Sequence, residues 1–89
     1  MKYVMLQMDA GEVKKMVPVI FPDVFVHSYV AEKLMTCLPL VGAVEVRSAG
    51  FVNLLGSVNC FGGSETLGVD AHPDDARIIE TYDYLHGIT

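Results

Sequence analysis

The chain has 89 residues, 52% of them hydrophobic and only 19% charged, with a mean hydropathy of +0.40. That length fits one core and excludes a second domain, and apolar residues spread along the whole chain exclude a disordered polymer. The formal charge of −5 argues against direct nucleic-acid binding, which depends on a basic stripe to neutralise phosphates.

A domain of this size buries roughly 60 to 65% of the surface its unfolded chain exposes. Apolar content beyond a small core's needs points outward, to a protein partner or a homo-oligomer. At the start, Asp9 interrupts the apolar residues before they reach signal-peptide length. The richest apolar stretch, residues 34–46, contains Pro39, Gly42 and Glu45 and falls short of the ~18 residues of a membrane span. The expected location is the cytoplasm, with no membrane partner.

The charge is unevenly placed. Residues 1–47 balance five bases (Lys2, Lys14, Lys15, Lys33, Arg47) against five acids (Asp9, Glu12, Asp23, Glu32, Glu45). Residues 48–89 carry six acids (Glu65, Asp70, Asp74, Asp75, Glu80, Asp83) and a single base, Arg77. The whole excess therefore lies in the second half.

In chain order, residues 3–8 alternate Val4, Leu6 and Met8 with Tyr3, Met5 and Gln7, the pattern of a strand with one fully apolar face. Residues 9–12 read as a turn around Gly11, and residues 13–21 as the returning strand. Pro18 removes a ladder donor, which places that strand at an edge or ends its regular pairing there. Between residues 24 and 38 the period changes: Val26, Val30, Leu34, Cys37 and Leu38 share one side of a helix, with Ser28, Glu32 and Thr36 opposite. Asp23 is the candidate N-cap, with a later start at Ser28 as the alternative, and Pro39 and Gly42 stop the helix. The wheel also puts His27 on the apolar side.

Residues 43–48 alternate as a half-exposed strand, with Gly50 as a candidate bulge before residues 51–55 continue extended. Residues 58–61 form a short strand, Gly62-Gly63-Ser64 a hairpin turn, and residues 65–69 a candidate return strand. A second helix follows, with Pro73 at its first position and Asp74 and Asp75 where the dipole favours anions. Its apolar face is Ile78, Ile79, Tyr82 and Leu85, with Glu80, Asp83 and Tyr84 pointing away and Gly87 closing it. The order β-β-α-β-β-(β)-α predicts a single α+β domain over residues 1–89, two helices on a mostly antiparallel sheet.

No chemistry-bearing pattern stands out. Cys37 and Cys60 are too few and too far apart for a disulfide framework or a zinc site and are expected to be reduced thiols. Asp70, His72 and Asp74 are weak metal-ligand candidates at a helix entry, but their spacing matches no EF-hand or zinc motif. Capping and dipole effects account for the helix-start acids without a metal. A nucleophile at Cys60, or at Ser64, with His27, His72 or His86 as its base finds no support in the spacing. The glycines at 62 and 63 lack a phosphate-loop pattern and adjoin Glu65, which repels anions. His86, near the end of the second helix, is a weak candidate pH sensor. No cofactor is expected.

Ser48-Ala49-Gly50-Phe51, Cys60-Phe61-Gly62-Gly63-Ser64-Glu65-Thr66-Leu67-Gly68-Val69, His72-Pro73-Asp74-Asp75-Ala76 and Tyr84-Leu85-His86-Gly87 together resemble small uncharacterised proteins of tailed phages and prophages. Val17-Pro18-Val19-Ile20-Phe21-Pro22, with His27 and Val30-Ala31, resembles the front half of the same proteins. The chain departs from them in carrying Ala71-His72 before Pro73 in place of a hydroxyl cap. The resemblance implies phage origin, hence a host-cell cytoplasm, and no enzyme activity.

The leading expectation is a non-catalytic accessory protein. It binds another protein, basic or itself nucleic-acid-binding, through an acidic face formed by Glu65, Asp70, Asp74, Glu80 and Asp83 with Tyr84 as an anchor. Inhibition of a host factor or defence system is one form of this. The alternatives are a homo-oligomeric assembly protein and a small metal-dependent hydrolase. Two helix faces and the strands account for most of the hydrophobic content, which leaves the acid as the surplus.

Overall fold

The computed structural model describes residues 1–10, 13–37 and 43–82. It has the expected α+β class and element order. Four strands, β1 (Lys2–Ala10), β2 (Val13–Phe21), β3 (Ala43–Asn53) and β4 (Asn59–Phe61), form an antiparallel sheet in the order β2-β1-β3-β4. A two-residue ribbon, β5 (Gly63–Ser64) with β6 (Val69–Asp70), lies against β3, and the helices are α1 (His27–Cys37) and α2 (Asp75–Thr81).

β1 is central, and both of its faces are covered. Tyr3, Val4, Met5 and Leu6 are all fully buried, so the expectation of one apolar face understates it. Tyr3 and Met5 pack with Val52 and Ile79, and with half-buried Met16, Ile20, Cys60 and Ile78. Val4 packs on the other side with Phe21 and Ala49, and with Val30, Leu34, Leu67 and Val69. The helices thus cover opposite faces, α2 the Tyr3 side and α1 the Val4 side. Each fully buried side chain of Val, Leu or Met size contributes roughly 1.5–3 kcal/mol, so β1 is the mechanical centre of the domain.

β2 occupies an edge, as Pro18 requires, and pairs with β1 along its full length, Met5 standing opposite Pro18. Asp9 and Ala10, expected in the turn, belong to β1, which pairs Ala10 with Val13; Gly11 and Glu12 lie outside the described residues. In β3 the expected bulge at Gly50 is absent and the strand runs unbroken through it. The register instead slips between Ser48, opposite Met5, and Val46, opposite Leu6, so Arg47 faces no residue of β1. Gly50 is required for another reason: a Cβ there would stand 2.6 Å from the Phe61 carbonyl oxygen.

α1 starts later than the first reading of the periodicity, and Val26 and Asp23 lie outside it. The chain turns at residues 22–25, closed by Phe25 N–H to the Pro22 carbonyl, and the first helical bond runs from Val30 N–H to the Val26 carbonyl. Asp23 does not cap; its carboxylate pairs with the Met1 ammonium at 3.1 Å, and both groups are well exposed. Val26 is exposed rather than packed, because it precedes the helix. His27 fulfils the core expectation. It is buried, its Nε2 donates to the Gly50 carbonyl at 2.8 Å, and the rings of Phe21 and Phe51 meet it edge-on. The side chain of Cys37, and Leu38, Pro39 and Gly42, lie outside the described residues.

Gly62-Gly63-Ser64 is not the turn of a hairpin. Gly63 and Ser64 are paired strand residues, residues 65–68 turn, and Gly68 N–H closes on the Ser64 carbonyl. Positive φ occurs at Gly62 and Gly68, where glycine avoids the Cβ clash. Among the described residues no helix is long and apolar enough to cross a membrane.

Candidate functional site

The second half of the chain places its acids in two different environments. Asp75, expected to complement the helix dipole, is fully buried. Its Oδ2 accepts three hydrogen bonds: from Tyr3 Oη at 2.6 Å, Ser48 Oγ at 2.7 Å and the His72 backbone N–H at 2.9 Å. Its Oδ1 has no donor among the described residues. Tyr3 and Ser48 reach it because the register brings both to the same face of the sheet. A buried carboxyl is costly unless it is hydrogen-bonded, and here β1, β3 and the approach to α2 supply the donors.

Burial, followed by the hydrogen bond to Asp75 and its negative charge, pushes the Tyr3 phenol far above its ordinary pKa, so it remains a neutral donor. Burial also pushes the Cys60 thiol up, against a hydrogen bond with Tyr3 that acts the other way, and the charge of Asp75 raises it further. Cys60 is a free, half-buried thiol, and this environment suppresses the thiolate that a nucleophile needs.

The entry to α2 shows why no hydroxyl precedes Pro73. His72 braces the turn before the helix: its Nδ1 accepts from Asp74 N–H at 3.1 Å, while the Asp75 carboxyl returns to His72 N–H. Asp74, the N-cap, makes no side-chain cap bond of its own. Pro73, expected at the first helical position, lies instead in the turn before α2, which starts at Asp75, although Asp74 already has helical dihedrals. Arg47, freed from strand pairing by the register slip, points its Nη2 at the same His72 Nδ1 at 2.7 Å. Because a guanidinium only donates, the ring proton in this arrangement sits on Nε2. The Asp74 carboxylate lies 4.0 Å from Nδ1.

Glu65, Asp70, Asp74 and Glu80 are all exposed. Glu65 and Asp70 line an open cleft of about 620 Å³ with Gly62, Gly63, Ser64 and Gly68. Asp70 leans over the α-carbon of Gly63, where any Cβ would clash. Asp74 stands apart, beside His72 and Arg47, and Glu80 occupies the last turn of α2. The metal candidates Asp70, His72 and Asp74 do not converge, and among the described residues no three His, Cys, Asp or Glu side chains do. α2 ends at Thr81 with Tyr82 extended, short of the expected stop at Gly87. Asp83, Tyr84, Leu85, His86 and Gly87 lie outside the described residues.

A second surface was not anticipated from the acid distribution. Val24, Phe25, Val26 and Tyr29 are large apolar residues with exposed side chains, Val24 at 81%. A groove of about 300 Å³ opens there between Phe21, Phe25, Tyr29, Val30, Lys33 and Leu34. Comparison of the chain with protein-family models, curated proteins and solved structures finds no match.

Proposed function

We propose that this chain is a non-catalytic, phage-type accessory protein that binds another protein through its exposed acids, Glu65 and Asp70 on the β5–β6 ribbon and Asp74 and Glu80 at α2. The observation that carries the reading is the cleft flanked by exposed Glu65 and Asp70, whose lining contains no Lys or Arg. Asp74 and Glu80 extend the negative field along the same half of the chain. The attraction speeds encounter with a basic protein, such as one that itself binds nucleic acid. Occlusion of a host factor or defence protein in the host cytoplasm is the form of activity this chemistry suits.

Affinity capture from host lysate at low and high salt tests the reading. The expected partner is basic, loses affinity with salt, and binds at least about tenfold more weakly to a Glu65→Lys, Asp70→Lys variant. A partner indifferent to both salt and charge reversal sinks it. Self-association is the second reading, favoured by the exposed apolar residues around the start of α1. A monomer at high micromolar concentration in light scattering argues against it.

A further inference from the structure

We infer that the groove beside α1 is a second docking site, built from residues other than the exposed acids, and that it takes a segment of a partner protein carrying two apolar side chains and a carboxylate. Phe25, Tyr29 and Lys33, spaced four residues apart, build one wall. The rings of Phe25 and Tyr29 stack within 9° of parallel, and the Lys33 ammonium sits 5.5 Å from the centre of the Tyr29 ring. Phe21, Val30 and Leu34 line the rest. Phe21 is anchored in the core and Lys2 Nζ donates to the Phe25 carbonyl at 3.0 Å, so the wall is fixed from beneath before anything binds.

Charge complementarity selects the occupant. The protein as a whole is strongly acidic, yet this groove ends in a lysine that no described carboxylate pairs with. Apolar side chains satisfy the stacked rings and the floor, and a carboxylate satisfies Lys33; an amphipathic helix laid in a groove supplies both from successive turns. The groove is too open to enclose a small ligand as pockets normally do.

Selection of a displayed library of random short peptides on the intact protein tests the assignment. The expected winners carry two apolar residues one helical turn apart and an Asp or Glu. They bind Lys33→Glu and Tyr29→Ala at least about tenfold more weakly and bind the Glu65→Lys, Asp70→Lys variant unchanged. Circular dichroism confirms that the variants are folded, and since both side chains are exposed, either variant alone decides the matter. The inference is overturned if no peptide is enriched, if the winners lack an acid, or if neither substitution weakens them. A dimer that Tyr29→Ala dissociates gives the groove to a second copy. Phosphatidylcholine vesicles that bind only when Tyr29 is present give it to a membrane surface. Either result also overturns the inference.

Discussion

The two helices are attached to the same sheet by different physics. α2 is short, seven residues, and is pinned by a buried carboxyl that gathers Tyr3, Ser48 and the His72 N–H on one oxygen. α1 is longer, eleven residues, and rests on Val30, Leu34 and buried Ala31, with His27 bonded to a strand carbonyl at its first residue. The hydrogen bonds at α2 are directional and fix a single orientation. The apolar contacts at α1 leave aromatic surface uncovered. One side of the molecule has its polar groups inside, and the other has apolar groups outside.

The largest effect is therefore expected from the carboxyl hub. Asp75→Ala strands the Tyr3 and Ser48 hydroxyls in the core and removes the tie to His72. Urea denaturation should show a loss of about 3–5 kcal/mol, and a loss under 1 kcal/mol would show that the hub is not what holds α2. Gly50→Ala drives a Cβ against the Phe61 carbonyl and is expected to cost about 1–3 kcal/mol. Its cost should exceed that of any single truncation among the exposed side chains of α1.

Alkaline pH probes the same hub without mutation. The Tyr3 phenol and Cys60 thiol have native pKa values above their ordinary ones of 10.0 and 9.0. The unfolded chain therefore releases their protons first, and stability declines as pH rises, from about 9 for Cys60 and about 10 for Tyr3. Tyr3 contributes a slope on the order of 1 kcal/mol per pH unit, and the solvent-screened Cys60 a smaller one. Tyr3→Phe should remove its share of the slope, and an unchanged slope in that variant would refute the assignment.

A smaller effect is expected at the turn before α2. His72→Ala removes the imidazole acceptor from Asp74 N–H and should cost about 1 kcal/mol, whereas His72→Asn, which keeps an acceptor, should recover most of it. Equal losses in both would mean that the side chain does not brace the turn. Smallest of all, Tyr29→Ala and Lys33→Glu should leave stability within about 0.5 kcal/mol of the parent.

The main-sheet strands, the edge position of β2 and the body of α1 were legible because they follow period two and period 3.6, signals that survive in a single sequence. The Asp75 hub was not. Asp74 and Asp75 are identical residues at neighbouring positions at the start of the same helix, and only the register of Tyr3 and Ser48 decides which is buried. The available clue was that Tyr3 shares its strand face with Met5, so its hydroxyl had to find a partner. The ribbon was misread for a related reason. Gly63 looks like turn punctuation, but it is a strand residue paired with Asp70. The exposed residues before α1 were counted as a helix face, since Val26 fits the wheel even though the helix begins one residue later.

Hydrogen–deuterium exchange on the complex with the captured partner separates the two surfaces most directly. The account predicts slowed exchange at residues 63–70 and 74–81, with residues 24–34 unchanged by that partner. Protection confined to residues 24–34, or absent from the ribbon and α2, would contradict the claim that the exposed acids are where this protein binds.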